Sequence, residues 1–123
     1  MKKIVILLVC CMLLCSCNDN NNNLKSSGKI KCKDIETILN YDNNPKLIDV
    51  RESDEYNEKH LDNAINIPYT NIVEDIKTLD NISLDTPIIV YCKSGARSSK
   101  AYDALKNAGY KYVYDLGSIN NCN

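Results

Sequence analysis

The densest chemical pattern in the chain is seven consecutive residues, Cys92-Lys93-Ser94-Gly95-Ala96-Arg97-Ser98. They follow the apolar run Ile88-Ile89-Val90-Tyr91 and lead into a helical pattern. A thiol that leaves a buried strand at its carboxyl end faces the side of an α/β sheet where ligands bind. Gly95 permits positive φ, so the turn can curl and aim successive N–H groups inward. The helix that follows adds unpaired N-terminal N–H groups and the positive end of its dipole. A thiolate in such a cradle has a lowered pKa and reacts at neutral pH. Lys93 and Arg97 add positive charge where an anion would dock. A lone Cys beside a strand is ordinarily an inert buried thiol, but that reading leaves Gly, Arg and Ser at these spacings unexplained. The pattern predicts a cysteine nucleophile at position 92.

Two further groups could take part. Asp49 and Arg51 close an earlier apolar run, Leu47-Ile48-Asp49-Val50-Arg51, and are expected to support the loop by hydrogen bonds or ion pairing rather than to react. His60 is the single His and could serve as a general base. An ionised Cys92 would need none.

The elements that must position these residues are legible as short apolar runs alternating with helical patterns. Strands are expected at residues 29–31, 47–50, 64–67, 88–91 and 112–114. Helical segments are expected at 34–39, at 53–59 with Ser53 as its N-cap, at 71–79, and at 98–107 with Gly109 ending it. Short strands alternating with helices, and strand interiors that are nearly all apolar, predict a five-stranded parallel sheet covered by helices on both faces. With no Phe and no Trp, the core aromatics must come from the eight Tyr. The chain has 123 residues, 44% of them hydrophobic, enough for one small domain. The formal net charge of -1 argues against a nucleic-acid surface.

Four ordered stretches carry a family resemblance. The Cys92–Ser98 loop resembles the active-site loop of rhodanese-like sulfurtransferases, Cys-x-x-Gly-x-Arg followed by Ser or Thr. Leu47 to Glu52 with Glu55-Tyr56 resembles that family's IDVRE…EY segment. His60-Leu61 with Ala64 to Pro68 resembles its GHI-x-GA-x-NIP segment, in which His60 looks like a turn-shaping residue. Leu105 to Tyr110 with Val113 to Gly117 resembles its closing LKxAGY…VYxLxGG. Together they span about residues 29–119. The departures are Lys59 and Asn63 at two family glycines, Ser118 after Gly117, and the absence of a later Trp. Cysteine phosphatases of related architecture use Cys-x5-Arg, a larger loop; Cys-x4-Arg and Tyr91 before the Cys fit a sulfur-sized site here.

The resemblance implies a rhodanese-like fold and a sulfurtransferase. The Cys92 thiolate would take the outer sulfur of thiosulfate or a similar donor, and a thiophilic acceptor, a thiol in the cell, would remove it. Residues 93–98 would bind the sulfur anion. No metal or organic cofactor is called for, and a monomer is expected. In the family's fold the first and last strands are neighbours. Cys32 and Cys122 follow those strands, so a disulfide between them is one option. Two unpaired thiols, or Cys122 resolving a Cys92 persulfide, are the others. A binding module that has lost turnover, and a thiol redox protein, are the alternative functions.

The first residues read as an address. Lys2 and Lys3 precede an apolar run over residues 4–14, too short to span a bilayer, which takes about 20 residues. Leu14-Cys15-Ser16-Cys17 resembles a bacterial lipobox. Residues 1–16 are thus expected to be a lipoprotein signal peptide, Cys17 the lipidated residue, and 17–28 an Asn-rich disordered tether. Residues 29–123 would be the folded domain. The expected location is a membrane of the cell envelope, on its periplasmic or extracellular face.

Overall fold

A computed structural model describes residues 26–123. The expected signal peptide, the expected lipidation at Cys17 and the expected tether as far as residue 25 lie outside the described residues. Five strands form one parallel sheet: β1 (Ser27–Lys29), β2 (Lys46–Asp49), β3 (Ile65–Asn66), β4 (Ile88–Cys92) and β5 (Val113–Ser118), in the order β1-β5-β4-β2-β3. The helices are α1 (Ile35–Leu39), α2 (Ser53–Glu58), α3 (Ile72–Asp75) and α4 (Ala96–Asn107), with single 3-10 turns at Cys32–Asp34, Tyr69–Asn71, Ile76–Thr78 and Ile119–Cys122. Among the described residues no helix is long and apolar enough to cross a membrane.

The period-two alternation of strand side chains divides the core into two layers. Ile48, Ile88, Val90, Cys92 and Val113 pack with Ile72 and Ile76, and with Ala101 and Leu105 of α4. Leu47, Ile89, Tyr91, Tyr114 and Leu116 face the other way and pack with Ile38 of α1, Ala64 and Ile119. Tyr91, Tyr114 and Tyr110 are the buried aromatics that the absence of Phe and Trp required. β4 lies at the centre with all five residues buried, so its carboxyl end is held from both sides.

Several boundaries differ from expectation. The first strand is Ser27–Lys29, not 29–31, so Ser27 and Gly28 belong to the sheet and not to a disordered tether. The strand is carried by backbone pairing with β5, and Ser27 Oγ accepts from the Val113 N–H and donates to the Lys111 carbonyl oxygen, so it needs little apolar content. β5 runs on to Ser118 rather than ending at Tyr114. A bulge opposite Val90 and Tyr91 shifts its register, and the Asp115 carboxylate accepts the Gly117 N–H at 2.9 Å beyond the expected end of the strand. The expected helix over 71–79 is a 3-10 turn, one α-helical turn and a second 3-10 turn. Helix α2 begins at Ser53 with Glu52, not Ser53, at the cap position, where the Glu52 N–H donates to the Glu55 carboxylate at 3.3 Å.

Candidate active site

Cys92 is the last residue of β4, and only Lys93, Ser94 and Gly95 separate it from α4. Gly95 caps that helix in the left-handed conformation, φ 103°. Non-glycine residues enter that region at a cost. The turn brings the N–H groups of Gly95 and Ser98 onto Cys92 Sγ at 3.0 and 3.3 Å. Helix α4 therefore starts at Ala96, two residues earlier than its hydrophobic pattern suggested, because the curl of the loop itself supplies the first helical turn. The Ser98 hydroxyl donates to the Gly95 carbonyl oxygen at 3.1 Å and locks the turn shut.

These donors decide the state of the sulfur. Burial pushes the Cys92 thiol up. The Ser98 N–H and hydroxyl and the N–H groups of Gly95 and Ser94 pull it down further, so it lies below the ordinary thiol value. Cys92 is itself buried, while Lys93, Ser94 and Ala96 on the rim are exposed. It is the free cysteine of the described residues.

Arg97 does not stand open to an incoming anion as its sequence position suggested. Its Nη1 and Nη2 donate to the two Glu55 carboxylate oxygens at 2.6 and 3.0 Å, linking α4 to α2. The hydrogen bond from Arg97 holds Glu55 at a pKa of about 2. Lys93 has no carboxylate partner among the described residues and remains the open cation of the loop. Its carbonyl oxygen accepts from the Ser118 hydroxyl at the end of β5, which fixes the loop from the far side.

Asp49 and Arg51 form a buried pair one strand away. Arg51 Nη2 reaches Asp49 Oδ2 at 2.7 Å and the Lys59 carbonyl oxygen at 2.6 Å, and Arg51 Nε donates to both Asp49 oxygens. Asn66 Nδ2 donates to the carbonyl oxygens of Asp49 and Arg51 at 3.0 and 2.9 Å. The pair thus fixes the chain leaving β2 and the chain returning after α2, and makes no hydrogen bond to Cys92. His60 is exposed, stacked on Tyr56 at 3.8 Å between ring centroids, with Nδ1 2.8 Å from the Tyr56 carbonyl oxygen. It is not part of the cradle.

Cys32 and Cys122 are joined by a disulfide, with Cα atoms 5.2 Å apart. Cys122 is therefore engaged and not placed to resolve Cys92. The bond ties the turn after β1 to the turn after β5, whose Ile119 and Asn120 border a cleft beside Lys93. Sequence reasoning missed two members of this site. Glu55 sits inside one motif and Ser118 at a departure from another, and neither position signals a contact with the loop. Among the described residues no cluster of His, Cys, Asp and Glu could hold a metal ion.

A thiol ringed by N–H groups at the carboxyl end of a central parallel strand is the arrangement against which known proteins can be compared. The model of the rhodanese-like domain matches residues 33–121. This chain belongs to the rhodanese-like domain family. The thiosulfate sulfurtransferase PspE of Escherichia coli (strain K12) is 38% identical to it over 72 residues, covering 58% of this chain and 68% of PspE. Among solved structures, a rhodanese with anions from E. coli superposes with a TM-score of 0.59 at 32% identity, covering 63% of this chain and 89% of that one. The human single-domain sulfurtransferase TSTD1 superposes with a TM-score of 0.64, covering 76% and 92%; at 17% identity it speaks for the fold alone.

Three departures from the rhodanese-like motifs find a local account. Asn63 adopts φ 67°, a left-handed conformation that Asn tolerates better than most residues, in place of a glycine. Lys59 stands in extended backbone, φ -162°, where no glycine is needed. Ser118 uses its hydroxyl to hold the loop at Lys93.

Proposed function

We propose that this rhodanese-like domain is a sulfurtransferase that moves sulfane sulfur from thiosulfate or a similar donor to a thiophilic acceptor through a persulfide on Cys92. The observation that carries the reading is the pair of N–H groups on Cys92 Sγ. They favour a thiolate before reaction and an anionic persulfide sulfur after it. In the first half-reaction the thiolate attacks the outer sulfur of thiosulfate, the S–S bond of the donor breaks, and sulfite leaves with the electron pair. In the second, an acceptor nucleophile attacks the outer persulfide sulfur and the electron pair returns to Cys92 Sγ. Cyanide serves as acceptor in an assay and a thiol in the cell. The name of the relative PspE supports thiosulfate as donor.

The test is intact mass after incubation with thiosulfate. The wild type gains the mass of a sulfur atom and the Cys92→Ser variant does not. Cys92 lies beneath its rim, so an unchanged wild-type mass would mean that the donor does not reach it. The domain would then be a binding module.

The same reading places the domain at the cell envelope, exported and held by lipid on Cys17. The support is the order of basic residues, apolar run and Cys in residues 2–17, together with the Cys32–Cys122 disulfide, a bond that persists in oxidising compartments. Metabolic labelling with radioactive palmitate tests it. The wild type takes up label, the Cys17→Ser variant does not, and an unlabelled wild type overturns the anchor.

A further inference from the structure

Beside the Cys92 loop lies a cleft of 220 Å³. Its lining is Lys93 from the loop, Arg51 and Glu55, Glu58 and Lys59 at the end of α2, and Ile119 and Asn120 after β5. It is below the roughly 300–1,000 Å³ of sites for drug-sized ligands, so it suits a small molecule rather than a peptide.

Of the five charged residues that line this cleft, two are already used. Arg51 is committed to Asp49 and to the Lys59 carbonyl oxygen, and Glu55 to Arg97. Three charged groups remain without an ionic partner among the described residues: Lys59, Lys93 and Glu58. The polar neighbour of the Lys59 ammonium is a neutral one, Asn123 Oδ1 at 3.5 Å. Its backbone is different, for Arg51 grips the Lys59 carbonyl oxygen at 2.6 Å. Lys59 is thus a fixed base carrying an open cation, on the same cleft as Lys93, the residue that follows the nucleophile. Ile119, nearly buried in the core, adds a little apolar surface to the lining.

We propose that this cleft is the acceptor site and that Lys59 selects a small thiol bearing a carboxylate. The inference rests on the sulfurtransferase reading. The acceptor thiolate attacks the outer sulfur of the Cys92 persulfide, forming its own S–S bond. The bond between that sulfur and Cys92 Sγ breaks, its electron pair stays on Sγ, and the acceptor's proton ends on its new persulfide or in water. The Lys59 ammonium pairs with the acceptor carboxylate throughout, and Glu58 opposes it.

The full chain is loaded with thiosulfate, freed of donor, and checked by mass for the added sulfur and the intact disulfide. It is then mixed with 3-mercaptopropionate or with 2-mercaptoethanol, alike in size but with carboxylate exchanged for hydroxyl. The quantity read is the ratio of their rate constants for removing the sulfur, compared between variant and wild type so that intrinsic thiol reactivity cancels. Lys59→Gln lowers that ratio about 3- to 10-fold, as loss of a partly solvated charge-assisted contact should. Lys59→Arg keeps it, and Glu58→Gln raises it. The effects shrink in strong salt, where screening acts within a few ångströms. A ratio unchanged in Lys59→Gln, or both thiols slowed alike, overturns the assignment of Lys59. Failure of the wild type to load at all overturns the sulfurtransferase reading, and the inference with it.

Discussion

At the carboxyl end of β4 the sulfur of Cys92 has backbone N–H groups as neighbours and no second thiol. At the β1–β5 edge the sulfurs of Cys32 and Cys122 have each other. All three cysteines lie at or just beyond the ends of strands of one small sheet, and residue type does not distinguish them. What does is how the adjoining chain is bent. After β4, a glycine in the left-handed region turns the chain back on the sulfur and points amides at it. After β1 and after β5 the chain enters short 3-10 turns that bring two side chains together. The first arrangement leaves a sulfur poised to exchange partners, and the second leaves a sulfur that already has one.

The largest expected effect separates the two regions outright. Cys92→Ser abolishes persulfide formation from thiosulfate, measured by intact mass, whereas the double variant Cys32→Ser/Cys122→Ser still forms it. Gly95→Ala tests the bend. An added Cβ would meet only the Gly117 Cα, at 3.8 Å, so the cost is one of backbone conformation and not of crowding. A left-handed non-glycine residue costs about 1–2 kcal/mol, and relaxing it turns an N–H away from the sulfur. Loading by thiosulfate should slow about 10-fold, followed by stopped reactions and mass. Ser98→Ala removes one of the groups that lower the Cys92 pKa. The wild-type alkylation profile with iodoacetamide should rise at a pH below the ordinary thiol value of about 8.5, and that of the variant should shift upward.

At the other region the measurable quantity is stability. The disulfide closes a sequence separation of 90 residues. Its removal in Cys32→Ser/Cys122→Ser should cost about 2–4 kcal/mol in urea unfolding. The smallest effect comes from the Arg97–Glu55 bridge that ties α4 to α2. Glu55 has its pKa lowered from 4.5 to about 2. Its contribution is therefore fully present above pH 4.5 and is lost as the pH falls towards 2. Glu55→Gln should cost about 1 kcal/mol at pH 7, as a partly exposed pair does, and the gap to wild type should close across that window.

The reactive loop was legible because its parts are local. Cys92, Gly95 and Ser98 lie within one turn of chain, and the spacing itself implies the bend. Its supports were not, because they come from across the fold. Glu55 meets Arg97 at a separation of 42 residues, and Ser118 meets Lys93 at 25. Local pattern carries no information on which side chains a crossover brings together, and so Arg97 was assigned to an incoming anion rather than to Glu55. The other four strands, β2 to β5, were legible as apolar runs, and with them the parallel sheet. Edge strand β1 was displaced, since Ser27, Gly28 and Lys29 pair through their backbone and show no hydrophobic signature. The end of β5 was missed for a related reason, because Asp115 and Gly117 look like a turn and in fact make a bulge. The Cys32–Cys122 bond was left open because three cysteines allow more than one pairing.

The strand order β1-β5-β4-β2-β3 seats the earliest strand beside the latest. A ribosome delivers the domain's cysteines as Cys32, then Cys92, then Cys122. Until β5 and Cys122 emerge, the first strand lacks its neighbour, and the thiols of the described residues exposed to any oxidant are 32 and 92. Their union would consume the nucleophile. Correct maturation therefore depends on timing, with oxidation delayed until Cys122 has emerged or followed by reshuffling that hands Cys32 from an early partner to a late one.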